Sequence, residues 1–133
     1  MISNGIHVAP GGDRLSVRED GAVSRISVFD VATRTERSIY EAPASQRIVD
    51  VKWMEDGKSL LFFTRARSAS QQSATETLYR IAVEGGAPEQ LLEVPNRSDS
   101  SHWLRVRPDN RQILYTVVNE RLELWALDNY PLQ

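Results

Sequence analysis

VRPDNRQILYTVV, residues 106–118, decides the fold. A proline, an acid, an asparagine and a base (Pro108 to Arg111) stand in line ahead of a run of β-type residues. Read alone, the polar centre is either a ligand site or a corner between two strands. Two other stretches have the same layout: VAPGGDRLSV (8–17) and WMEDGKSLLFF (53–63). Laid over one another, Pro10, Glu55 and Pro108 coincide, then Gly11, Asp56 and Asp109, then Gly12, Gly57 and Asn110. A charged residue follows (Asp13, Lys58, Arg111), and an aliphatic opens the next strand two positions later (Leu15, Leu60, Ile113). Glycine and asparagine recur where a turn demands positive φ, the conformation they tolerate best. The polar centre therefore reads as a turn, and the turn as one copy of a repeat.

Working outward, a second register aligns ISVFDV (26–31), LYRIAV (78–83) and LELWAL (122–127). Turns ATRTE (32–36) and EGGAPE (84–89) follow the first two, with short β-prone pieces RSIY (37–40) and QLLE (90–93) after them. Before each first turn lies another such piece: IHV (6–8), IVDVKW (48–53) and HWLRV (102–106). Each unit is strand, turn, strand, loop, strand, turn, strand, over about 6–42, 48–94 and 102–130, the last without its fourth strand. Equivalent turn residues are 45 apart from Gly12 to Gly57 and 53 apart from Gly57 to Asn110. The surplus is assigned to RARSASQQSATE (65–76), read as a loop with no apolar face. Four strands in about 40–50 residues mark a β-propeller blade.

The apolar pattern agrees. LLFF (60–63) and ILYTVV (113–118) are nearly continuous rather than alternating, as strands are when both sheet faces are covered. No segment carries a 3.6-residue period with caps. The expected fold is all-β, a single β-propeller segment over residues 1–133 of about three four-stranded antiparallel blades, the last incomplete.

The three turns resemble the Trp-Ser-Pro-Asp-Gly element of the TolB-like, WD-repeat-like bacterial propeller family, in VAPGG (8–12), WMEDG (53–57) and VRPDN (106–110). ISVFDVATRTE (26–36) and LYRIAVEGGAPEQLL (78–92) resemble that family's Leu-Tyr-x-x-Asp-x-x-x-Gly-Glu segment, with Arg34 where glycine is usual. The resemblance covers nearly the whole chain and implies the propeller fold; the family binds many things on one scaffold. Closed propellers need four to eight blades. Either the chain is part of a longer propeller, or two identical chains close a six-bladed ring about a two-fold axis. The ending ELWALDNYP (123–131) is similar to the tail of large bacterial regulators that carry a propeller sensor.

Composition narrows the chemistry. The net charge of -2 gives no footprint for nucleic acid, so no nucleic-acid contact is expected. Fourteen arginines stand against two lysines, a bias that bidentate pairing or GC-rich coding would both produce. The absence of cysteine removes disulfides, thiolate metal sites and a cysteine nucleophile. No apolar run approaches the ~18 residues of a membrane span, and no membrane insertion is expected. The compartment is left open.

DSSHW (99–103) gathers Asp99, Ser100, Ser101 and His102, but residues so close in sequence rarely assume triad geometry, and no GxSxG elbow exists. EDGKS (55–59) leads into a strand, not the helix a P-loop needs. No metal and no cofactor are expected, because His7 and His102 are far apart and lack ligands at coordinating spacing. The binding positions expected are the loops before the innermost strands, 44–47 ending at Arg47 and 96–102 ending at His102, together with channel-lining His7, Lys52 and Arg105. The function expected is a non-catalytic interaction or sensor module that binds a protein or peptide. The alternative is the propeller domain of a prolyl-oligopeptidase-like hydrolase whose catalytic domain lies elsewhere.

Overall fold

The three turns close three hairpins of one geometry. In each, the residue opening the turn donates its N–H to a carbonyl five residues on (Ala9 to Arg14, Met54 to Ser59, Arg107 to Gln112) at 2.9 Å. In each, the fourth turn residue donates back three positions, from Gly12 to Ala9, Gly57 to Met54 and Asn110 to Arg107. Gly12, Gly57 and Asn110 have φ of 73°, 68° and 58°. The Asp56 and Asp109 carboxylates accept the N–H two residues on, from Lys58 and Arg111. Asn110 does more than stand in for glycine: its Oδ1 accepts the Glu55 N–H of the second turn at 2.9 Å. Arg34 also has positive φ, 58°, where glycine would avoid a cost of about 1–2 kcal/mol.

The computed structural model describes residues 2–68, 75–95, 104–118 and 122–128. Its first sheet is the meander β1 (Ile2–Val8), β2 (Arg14–Asp20), β3 (Arg25–Asp30) and β4 (Thr35–Glu41). The second runs β5 (Gln46–Trp53), β6 (Ser59–Ala66), β7 (Thr75–Ala82) and β8 (Glu89–Pro95). The third holds β9 (Leu104–Val106), β10 (Gln112–Val118) and β11 (Leu122–Asp128). All pairings are antiparallel between sequence neighbours. The all-β fold in three meander sheets, with three strands described in the last, is as the repeat predicts.

The second sheet is the centre of the molecule. Leu60, Leu61, Phe62 and Phe63 are all 0% exposed. Strand alternation sends Leu60 and Phe62 into one core with Ile26, Val28, Val51, Trp53 and Ile81, against the first sheet. Leu61 and Phe63 enter another with Leu78, Val94, Leu104, Ile113 and Tyr115, against the third. Tyr40, Phe62 and Tyr79 extend the first core, with ring centroids 4.8 and 5.4 Å apart. The unbroken apolar run exists because both faces of β6 are covered.

Arginines tie the first two sheets together. Arg14 donates to Gly57 O at 2.8 Å, Arg18 to Ile48 O at 3.3 Å and Arg37 to Val83 O at 2.7 Å. Returning from β6, Arg67 donates to Gly21 O at 2.8 Å, and the Trp53 indole donates to His7 O at 3.0 Å. The arginine bias thus has a structural use: a long side chain reaches a carbonyl across a gap between sheets.

One reading is corrected. Residues 65–76 are not loop throughout, since β6 runs to Ala66 and β7 starts at Thr75. Arg65 and Glu76 are register partners, buried (4% and 0% exposed) and 3.6 Å apart. A buried ion pair lets the strands lengthen without apolar residues at those positions, so a hydrophobic pattern cannot reveal them.

Leu60→Ala and Leu61→Ala should each lower stability by about 2–5 kcal/mol, because each opens a cavity in a separate core. Urea unfolding measures both losses. A near-neutral result for either would mean that its face of the second sheet is uncovered.

Candidate functional site

The sheets approach one another most closely through their first strands: β5 touches β1 and β2 on one side and β9 on the other. β1 and β5 are irregular in the same place. The ladder slips at residue 4 between Ser3 and Gly5, and at Val49 between Ile48 and Asp50, three residues before His7 and Lys52 respectively. Such bulges re-aim the side chains that follow.

His7 and Lys52 line one pocket of 320 Å³ with Val8, Pro10, Trp53 and Glu55. The half-buried imidazole crosses Gly5, where an added Cβ would lie 3.6 Å from His7 Nε2 and 3.9 Å from Arg18 Nε. Ring and guanidinium therefore close over the same glycine. Burial first, and then the positive charges of Lys52 and Arg18, hold His7 below the usual histidine value of 6.5. Burial also lowers Arg18, opposed by Asp50 and Asp20 and reinforced by Arg47.

The expected positions are thus partly gathered. His7 and Lys52 meet in the pocket. Arg47, half-buried at the start of β5, belongs electrostatically with Arg18 and Asp50 behind it, and its buried Nε makes no hydrogen bond among the described residues. Arg105 is exposed on β9, opposite Leu114. His102 and the loop 96–102 lie outside the described residues. The end of loop 44–47 is tied down, with Gln46 N–H donating to Pro43 O at 2.8 Å and Arg67 Nε to Gln46 O at 3.1 Å.

Arg18 was missed from the sequence, as was Arg14, whose guanidinium lies 5.7 Å from the centre of the Trp53 ring. Arg14 also lines two grooves of 540 and 470 Å³ near the turns, both including Val83 and Glu84. Their signal was the arginine excess, which does not say which arginines face inward. Among the described residues, no group of three His, Asp or Glu side chains is placed to hold a metal ion, and no helix is long and apolar enough to cross a membrane.

No family profile matches the chain. The uncharacterized peptidase YuxL of Bacillus subtilis is 28% identical over 116 residues, which span 82% of this chain and 16% of that protein. Among solved structures, the putative TolB of Agrobacterium tumefaciens superposes with a TM-score of 0.69 at 14% identity, covering 96% of this chain and 46% of that one. The acylaminoacyl peptidase of Pyrococcus horikoshii gives 0.68 at 17%, covering 97% and 24%. The β-propeller domain of the Trilobed protease from Pyrococcus furiosus gives 0.59 at 17%, covering 97% and 42%. At these identities the likeness establishes the fold alone: the three sheets are blades of a β-propeller fold. The chain spans less than half the length of each of these proteins.

The lowered His7 value sets a sign. The folded state disfavours the protonated ring, so its stability is full above about pH 6.5 and falls as the pH drops from there through the folded value. Among the described residues, Arg18 on β2, Lys52 on β5 and Glu55 in the turn are the charged groups facing it, and Asp50 on β5 acts on Arg18. Urea unfolding at about pH 7.5 and about pH 5.5 should show a smaller acid-side loss for His7→Gln than for the native chain. Equal losses would remove His7 from the acid response.

Proposed function

We propose that the chain is a non-catalytic, TolB-like propeller interaction module that binds a protein or peptide along its innermost strands and the loops leading into them. The observation that carries this reading is the pocket in which His7 and Lys52, from successive blades, line one open wall beside Trp53 and Glu55. It lies between adjacent first strands, and its polar side chains differ from blade to blade, so one surface offers several hydrogen-bonding characters to an extended segment. A sensor domain of a bacterial regulator or an envelope interaction protein would both use such a wall. Selection of displayed peptides on the purified chain tests it. Selected peptides should lose binding on His7→Ala and Lys52→Ala; binding that ignores both substitutions would overturn the reading.

The identity to YuxL supports a second reading, a propeller domain that gates a hydrolase domain beyond this chain. A reading frame continuing into a domain with a GxSxG elbow would favour it.

Ring closure belongs to the first reading. The face of the first sheet turned from the second carries Leu15, Val17 and Phe29, half-buried, with Ile6 and Val8 each 61% exposed. Leu15 and Val17 are equivalent to Leu60 and Phe62, which pack on the first sheet, and to Ile113 and Tyr115, which pack on the second. We assign to this face a blade of a second copy. Two copies also supply about the length of one chain of the putative TolB, of which this chain spans 46%. Sedimentation should return twice 15.0 kDa, and a folded 15.0 kDa monomer would overturn the assignment.

A further inference from the structure

Counting back three residues from Pro10, Glu55 and Pro108 reaches His7, Lys52 and Arg105. The ladders confirm that the three are equivalent in space. His7 pairs with Ser16, Lys52 with Leu61 and Arg105 with Leu114, and each partner stands four residues beyond the positive-φ residue of its turn. Each also lies on the strand by which its sheet approaches the next. The repeat thus sets one titratable base or permanent cation at a single level on every first strand, in a chain whose net charge is -2.

We infer that this level of the inner wall is a cationic rail that receives an acidic peptide segment. The inference rests on the peptide-binding reading above and adds the charge of the ligand to it. Lys52 and Arg105 supply permanent charges, and His7 supplies a neutral hydrogen-bonding ring at neutral pH that gains charge on acidification. Arg18 stands close enough for its charge to be felt by His7, with Asp50 and Asp20 as its own counter-charges. Glu55 is the acid lining the pocket itself. It rejects a carboxylate placed at the turn end, so it biases an acidic segment toward the strand level of Lys52. Nucleic acid would need more cations, set along a backbone's length, than one per blade.

The test uses fluorescence anisotropy with a labelled peptide of alternating Glu and Gly, its Gln/Gly counterpart, and a single-stranded oligodeoxynucleotide. The acidic peptide should bind in preference to both others, and more weakly as salt is raised. Lys52→Glu and Arg105→Glu should each weaken it on the order of tenfold. Arg111→Glu makes the same change of net charge in the exposed third turn and should leave binding within about twofold. Thermal unfolding checks that the variants are folded, and Lys52→Gln repeats the test with no added negative charge. Equal binding of the acidic and Gln peptides, preference for the oligonucleotide, or equal losses for Arg111→Glu and the wall variants would each overturn the rail. Should peptides selected without regard to charge still depend on Lys52, the binding reading survives and only its acidic preference fails. If no peptide binds, both fail.

Discussion

The structure depends on one constraint, that β6 is covered on both faces. Leu60 and Phe62 point one way, Leu61 and Phe63 the other, and none of the four has any exposed surface. A strand of this kind cannot lie at the surface, because each face would present bulky apolar side chains to water at roughly 25 cal/mol for every Å² uncovered. The first and third sheets are its two covers, and their own inward residues are chosen to fit it. That is why one residue alternation serves two cores, and why the sheets stack rather than spread.

Stacking leaves polar problems that the chain solves with long donors. Carbonyls of one blade lie near the next across a gap too wide for backbone pairing, and Arg14, Arg18, Arg37 and Arg67 span it. Asn110 does the same on a shorter reach, bonding the Glu55 N–H from within its own turn. The turn that first looked like a ligand site is therefore both a corner and a rivet. Its polar residues satisfy backbone groups, and the side chains we propose for ligand contact stand three residues earlier, on the strand before it.

That displacement explains how a repeat scaffold can carry function. Fold-determining positions recur in kind: glycine or asparagine at the turn, an aliphatic two residues past the following charge. Positions on the inner edge recur only in place, as His7, Lys52 and Arg105. Packing does not dictate them, so they are open to recognition. Lys52 sits opposite fully buried Leu61 and still lines an open pocket, because the first strand is the edge of its sheet.

The sequence by itself determined the repeat, its turns and its strands, because turn chemistry and strand periodicity are local: positive φ at Gly12, Gly57 and Asn110 follows from residue type and spacing. It also picked out His7, Lys52 and Arg105 as innermost-strand positions, whereas that His7 and Lys52 line one pocket is a finding of the structure. Only the tertiary structure decided which arginines bridge the blades and that Arg65 and Glu76 extend their strands as a buried pair. It also placed Arg18 beside His7 over Gly5. These are contacts between residues far apart in the chain or polar residues in apolar surroundings. Their stability comes from the partner across the gap, and no property of either residue alone announces the partner.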